Sequence, residues 1–163
     1  MLSPSLEDYL EEIYQLSLQN EQIRVRDIAE RLNVSSPSVV KALRKLHKKN
    51  YVQYQRYQGV ELTEEGERLG NLLVKRNSIL QEFLYVINSN CDTVQEAEAM
   101  EHYLSPPTIS AIEKLVEFMK KEPDVMERFM EFCEQNGENH WSQEIEIKES
   151  EEEESEKAQG QEE

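Results

Sequence analysis

Hydrophobic residues recur at helical spacing from the start of the chain: Leu6, Tyr9, Leu10, Ile13, Tyr14 and Leu16 place one apolar stripe on a helix running to about residue 19. Ser3-Pro4 supplies a hydroxyl N-cap and a proline at the first helical position. Val25 to Leu32 predicts a second, short helix, and Asn33-Val34 a turn. A third helix begins at Ser35-Ser36-Pro37-Ser38, with Val39, Val40, Leu43 and Leu46 on its apolar face and Lys41, Arg44, Lys45, Lys48 and Lys49 on the other. It is expected to end near Asn50, a residue that tolerates the left-handed cap conformation. Tyr51 to Tyr57 is aromatic and β-branched, Gln58-Gly59 is a turn, and Val60-Glu61-Leu62 returns, which predicts a small hairpin.

Thr63-Glu64-Glu65-Gly66 reads as the cap and first turn of a long helix to about Asn88, with Leu69, Leu72, Leu73, Arg76, Leu80, Phe83 and Leu84 in register. Asn88-Ser89-Asn90 breaks it. Further helices are predicted over 93–104, 108–121 and 124–138, with Pro106-Pro107 as a stop between the first two. The expected fold class is mainly α: an N-terminal winged helix-turn-helix over residues 1–71, a second, α-helical domain over 72–142, and an acidic tail over 143–163.

The chain has 163 residues and a formal charge of −16, which at first sight excludes nucleic acid as a partner. The distribution reverses that view. Half the acidic excess lies in the last 21 residues, where a run such as Glu151 to Glu154 lacks the apolar residues needed to offset ordering entropy, so the tail is expected to be disordered. Between Glu30 and Glu61 no acidic residue occurs, while Arg31, Lys41, Arg44, Lys45, Lys48, Lys49 and Arg56 are all basic. Local potential, not net charge, decides whether a surface meets phosphate.

A short turn between two helices, a basic third helix and a hairpin together form a winged helix-turn-helix arrangement, and a helix about 10–12 Å across fits the major groove of DNA. The expected DNA-binding residues are Ser35, Ser36, Pro37 and Ser38 at the helix start, Lys41, Arg44 and Lys45 along it, and Arg56 and Tyr57 in the hairpin. Any one of these signals alone fits a solvated amphipathic helix or a protein-binding hairpin; their coincidence points to duplex DNA. His47 is expected at the surface or beside phosphate.

No apolar run approaches the ~20 residues that span a bilayer, and the N-terminus lacks a basic stretch leading into an apolar one, so no membrane partner is expected. Cys91 and Cys133 form neither a disulfide framework nor a CxxC site, which fits a reducing cytoplasm.

In Glu98-Ala99-Met100-Glu101-His102, helical spacing places two carboxylates and an imidazole on one side, a donor set suited to a divalent cation. Asp8 and Glu11 repeat the i, i+3 spacing beside the apolar Tyr9, Leu10 and Ile13. Each cluster alone also fits a solvated acidic face. An enzyme built on Glu98, Glu101 and His102 is disfavoured, because the chain has no second Glu-x-x-His helix, no H-E-x-x-H and no nucleophile elbow.

Asp8-Tyr9-Leu10-Glu11-Glu12-Ile13-Tyr14, Ile28-Ala29 through Pro37-Ser38-Val39, Leu62-Thr63-Glu64-Glu65-Gly66 and Glu98-Ala99-Met100-Glu101-His102 together resemble the diphtheria-toxin-repressor family, in its short, manganese-responsive branch. The likeness runs over about residues 3–137. It implies a homodimeric, metal-dependent repressor of metal-uptake genes that binds a palindromic DNA operator. It also implies that residues 72–142 are an α-helical metal-binding and dimerisation domain, with a metal site between the two domains and ligands at Asp8, Glu11, Glu98, Glu101 and His102. Iron-responsive relatives typically carry Met and Cys where this chain has Asp8 and Glu98, and hard oxygen ligands suit Mn²⁺ better than sulfur does, with Fe²⁺ or Zn²⁺ as other candidates. One position departs from the branch: a histidine is usual where this chain has Asn77, which offers a carbonyl oxygen as a weaker ligand. A regulator of the same family that answers to iron, or that has lost its metal response, is the alternative.

Overall fold

The computed structural model describes residues 2–19, 22–55 and 59–136. Arg56, Tyr57, His140, Trp141 and the acidic tail lie outside the described residues. Seven helices and one hairpin follow in the order α1 (Pro4–Gln19), α2 (Val25–Arg31), α3 (Ser36–Lys48), β1 (Val52–Gln55), β2 (Gly59–Leu62), α4 (Glu64–Val86), α5 (Thr93–Glu101), α6 (Pro106–Lys121) and α7 (Pro123–Gln135). The chain divides into two compact units, Met1–Phe118 and Met119–Glu163, the second containing α7.

Three asparagines mark the reversals, each in the left-handed region that asparagine tolerates better than most residues: Asn33 between α2 and α3, Asn50 after α3 and Asn88 after α4, with φ of 50°, 63° and 56°. The hairpin pairs Val52 with Leu62 and Gln55 with Gly59. An isolated bridge from Ile23 to Val60 adds a third piece of strand at its edge. One face of the hairpin buries Val52 and Val60 in a core with Leu10, Ile13, Ile28, Val39, Leu43 and Leu46. Burying each large aliphatic side chain fully stabilises by roughly 1.5–3 kcal/mol relative to exposure, so this shared core is what seats α1, α2 and α3.

The corner between hairpin and α4 is built by Thr63. Its hydroxyl accepts from the Gly66 amide at 3.0 Å and donates to the Asn50 carbonyl at 2.6 Å. Gly66 is required there, because a Cβ would lie 1.8 Å from the Tyr51 carbonyl oxygen. From that corner α4 runs unbroken for 23 residues. Its first half packs on α1 and its second half on α5, where Leu80, Leu84 and Ala97 form a smaller core against Ile109 and Ile112 of α6.

Two boundaries differ from the sequence expectation. Pro106-Pro107 does not stop a helix but forms the first turn of α6, where a missing N–H costs nothing. Correspondingly α5 ends at Glu101, and His102 takes the cap position instead of the helix interior. The residue before a proline disfavours helical geometry, so Ser105 and its neighbours are released into the turn. His47 is exposed, as expected of a surface residue, and its Nδ1 lies 3.0 Å from the Val52 carbonyl oxygen.

Candidate metal centre and nucleic-acid interface

Helices α1, α4 and α5 converge where their polar faces meet. From α1 comes Asp8, on the same helix that buries Leu6, Leu10 and Ile13; from the end of α5 come Glu101 and His102. One ligand atom from each of these three lies within 4.8 Å of the other two. His102 Nε2 is 3.5 Å from Asp8 Oδ1 and 3.9 Å from Glu101 Oε1. Glu101 is 3% exposed, the one buried charged residue among those described.

Glu11 and Glu98 stand around this triad rather than inside it. Glu11 is half-buried one turn along α1, and Glu98 is exposed one turn back on α5. Both are felt electrostatically. Burial, and then the neighbouring Glu101 carboxylate, push the Glu11 carboxyl up to about 7. Asp8 is likewise raised, chiefly by burial and further by Glu101 and Glu98, against the opposing influence of His102. These carboxylates crowd one another at a cost that a cation relieves.

The α4 side of the centre is supplied by Arg76 and Asn77. Arg76 donates through Nη1 and Nη2 to Glu7 Oε2 at 3.2 and 3.1 Å, and Nη2 lies 3.4 Å from Glu101 Oε1. Sequence reading places Arg76 only in the helical register. Its signal was there: an arginine on an apolar stripe needs a buried anion. Asn77 was expected to offer its carbonyl oxygen; instead its Nδ2 donates to Glu101 Oε2 at 3.1 Å, and its carbonyl accepts from Gln81 Nε2 at 2.6 Å. A cavity of about 490 Å³ opens beside the centre, with Leu69, Leu72 and Ile79 on one wall and Glu101 and His102 on another.

The donor set fits a divalent cation. Carboxylate oxygens and one imidazole nitrogen converge, and the other imidazole nitrogen, Nδ1, is buried without a partner. Oxygen-rich sites with one imidazole suit Mn²⁺ and accept other first-row ions.

The second candidate surface is α3. Ser35 is its N-cap, accepting from the Ser38 amide at 3.4 Å and sharing a 2.9 Å hydrogen bond with the Ser38 hydroxyl. Ser36, Pro37, Ser38, Lys41, Arg44 and Lys45 are all exposed, while Val39, Ala42, Leu43 and Leu46 are buried. Arg31 is engaged by Glu12 at 2.7 Å. Among the described residues, Lys41, Arg44 and Lys45 have no acidic partner, so their charge faces outward. One side of α3 is core and the other is a basic ridge.

Comparison with known proteins bears on both surfaces. Residues 1–60 match the family described as "Iron dependent repressor, N-terminal DNA binding domain", and residues 63–135 match "Iron dependent repressor, metal binding and dimerisation domain". The chain is similar to the HTH-type transcriptional regulator MntR of Lysinibacillus sphaericus, with 40% identity over 129 residues, 78% of this chain and 93% of that protein. The regulator of the same name from Bacillus subtilis is 37% identical over 141 residues, 86% of this chain and 99% of that one. Among solved structures, a "Manganese-dependent transcriptional repressor complex with manganese" superposes with a TM-score of 0.62 and 26% identity over 69% of this chain. The chain spans 53% of that longer protein.

Proposed function

The chain belongs to the diphtheria-toxin-repressor family, in its manganese-responsive branch, and we propose that Asp8, Glu11, Glu98, Glu101 and His102 are the metal ligands through which Mn²⁺ controls its DNA binding. It is a metal-dependent, DNA-binding transcriptional repressor that acts as a homodimer on an operator. Members of this family are transcriptional regulators, and we read the chain as having no enzymatic activity. We place it in the cytoplasm, where operator DNA and the metal pool meet; among the described residues no helix is long and apolar enough to cross a membrane. Metal-uptake genes are the targets this reading assigns.

The observation that carries the mechanism is the convergence of α1 and α5 on one buried carboxylate. Asp8 and Glu11 belong to the helix that seats α3 through the common core, whereas Glu98, Glu101 and His102 belong to the second family domain. Without a cation, Asp8 and Glu11 face Glu101 across the α1–α5 junction, and their mutual repulsion lets α1 tilt away. A divalent ion held by these residues would supply positive charge to both helices at once. With such an ion in place Asp8 and Glu11 would be held toward Glu101 and His102, fixing α1 and with it the core under α3. In a homodimer the two α3 helices must sit about 34–36 Å apart to enter successive major grooves on one face of a palindromic operator. A coupling of ~1–3 kcal/mol between metal and DNA gives roughly 5–150-fold tighter operator binding.

On α3, Lys41, Arg44 and Lys45 hold phosphate and backbone, a role the sequence also gives to Arg56 and Tyr57. Ser36, Pro37 and Ser38 approach base edges, and Ser35 keeps the helix start in shape. The deciding experiment is operator binding by fluorescence anisotropy at fixed salt, titrating Mn²⁺ with the unchanged chain and with a Glu98→Ala, Glu101→Ala double variant. Tightening with Mn²⁺ that disappears in the variant is the expected result. Equal affinity in chelator and in Mn²⁺ leaves a winged helix without a metal gate.

A further inference from the structure

The environment of Glu101 restricts what the centre can hold. A bridging carboxylate must give one oxygen to each of two cations. Here Glu101 Oε2 is already occupied, accepting from Asn77 Nδ2 at 3.1 Å. The orientation of that amide is not arbitrary. A carboxylate can only accept, so Asn77 must turn its NH₂ toward Glu101, and its carbonyl is then free to accept from Gln81 Nε2 at 2.6 Å. The chain Gln81 to Asn77 to Glu101 runs in one direction, each N–H facing an oxygen acceptor.

Arg76 brings charge to the second oxygen of the same carboxylate. Its guanidinium lies 3.4 Å from Glu101 Oε1 and is fixed by two hydrogen bonds to Glu7. An arginine does not lose its proton in proteins, so this is a permanent positive charge beside the buried carboxylate. A divalent ion on the α4 side would meet that charge at close range and find an N–H where it needs a lone pair. The other oxygen, Glu101 Oε1, converges with Asp8 and His102 Nε2, with Arg76 Nη2 beside it at 3.4 Å.

Resting on the metal reading above, we infer that this centre takes one divalent cation per subunit, and that Asn77 is the specificity-determining residue, filling Glu101 Oε2 with an N–H donor. The ion sits between α1 and α5; α4 supplies a counter-charge instead of ligands. Position 77 then sets the metal count. Replacing its donor by an acceptor opens Glu101 Oε2 and adds a ligand in the same place.

The test is metal stoichiometry, not operator activity. The full chain is dialysed against MnCl₂ at about 0.3 M salt, which screens loose binding to the acidic residues beyond 142, and bound Mn²⁺ is counted and examined by electron paramagnetic resonance. One ion per subunit with the resolved hyperfine lines of an isolated Mn²⁺ is expected. Asn77→Asp, checked for folding by circular dichroism, is expected to take a second ion and to lose the resolved lines through coupling of neighbouring spins. Two ions in the unchanged chain, or one ion in a folded Asn77→Asp, overturn the inference. No bound Mn²⁺ in the unchanged chain overturns the metal reading itself. A variant that does not fold leaves the count on the unchanged chain decisive.

Discussion

Gly70 of α4 and Tyr14 of α1 meet so closely that a Cβ on Gly70 would lie 2.5 Å from the Tyr14 Cβ and 2.8 Å from its Cγ. The approach is backbone to side-chain stem, so no flexible tip can move aside. It sets the spacing of α1 and α4 one turn beyond Glu11, on the helix that carries two of the proposed ligands.

Gly70→Ala therefore weakens both the fold and the metal centre. Alanine is favoured over glycine in a helix by roughly 0.5–1 kcal/mol, but the overlap with Tyr14 outweighs that gain. A net loss of about 1–3 kcal/mol is expected from overpacking, read as a lower denaturant midpoint, together with weaker Mn²⁺ binding. Gly66→Ala, whose Cβ would strike the Tyr51 carbonyl, is expected to cost more. A Gly70→Ala protein of unchanged or higher stability would show that α1 and α4 are not in this contact.

Arg76→Gln leaves Glu7 and Glu101 without their cation. Both carboxylates and the arginine are mostly buried, with side chains 16%, 3% and 19% exposed. Removing one partner of such a group costs about 3–5 kcal/mol. Saturating Mn²⁺ is expected to restore part of it, because binding only to the folded chain stabilises by about 2.7 kcal/mol at a hundredfold excess over Kd. Urea melts of both proteins, in chelator and in Mn²⁺, give the four numbers required.

Glu11 gives the chain a pH dependence of definite sign. Its carboxyl is raised from 4.5 to about 7 in the metal-free fold, so the folded state holds a proton that the unfolded chain has released. Stability of the metal-free chain is consequently highest below the unfolded value and is lost as pH rises through about 7. Metal binding runs the opposite way, since the ion needs the carboxylate. Below about 7, Mn²⁺ affinity should rise by up to about tenfold per pH unit and then level off. Glu11→Gln is expected to flatten the stability profile and to weaken binding above neutrality. A metal-free chain that grows more stable between about pH 5.5 and about pH 7.5, relative to Glu11→Gln, contradicts this assignment.

The basic ridge on α3 is tested by salt. Arg44→Ala should weaken operator binding about equally for matched and mismatched sequences and reduce the slope of log K against log salt by about 1, as expected for one phosphate contact. Ser38→Ala should leave the slope unchanged. Anisotropy titrations at several salt concentrations in Mn²⁺ distinguish a phosphate contact from a structural one.

Local signals carried most of the architecture. The three left-handed asparagines, the Thr63 cap and the apolar stripes of α1, α3 and α4 each depend on residues within a turn or two of one another, so they are legible in the chain. Glu101 and His102 are adjacent in sequence and legible for the same reason, whereas Glu98, one turn back, stands exposed outside the triad. What escaped depends on distance in sequence. Arg76 finds Glu7 across 69 residues, and no local pattern specifies that pairing. The amide orientation of Asn77 follows from Gln81 and Glu101 together, which meet only when α4 and α5 pack. Pro106-Pro107 was misjudged because a proline pair ends one helix and begins another with equal ease, and the choice was made by Ile109 and Ile112 reaching the core of α4 and α5.

Helix α4 starts at the foot of the hairpin and carries Arg76 and Asn77 in its middle, with no interruption over 23 residues. There is accordingly no hinge or spacer at which a protease can separate the reading head from the sensor without cutting through a helix. Nor is there a seam at which recombination can exchange one sensor for another. A change of metal response in this chain has to come by substitution at single positions along α4, α1 and α5, and a graft that replaces the sensing half must carry the whole helix, starting from Thr63.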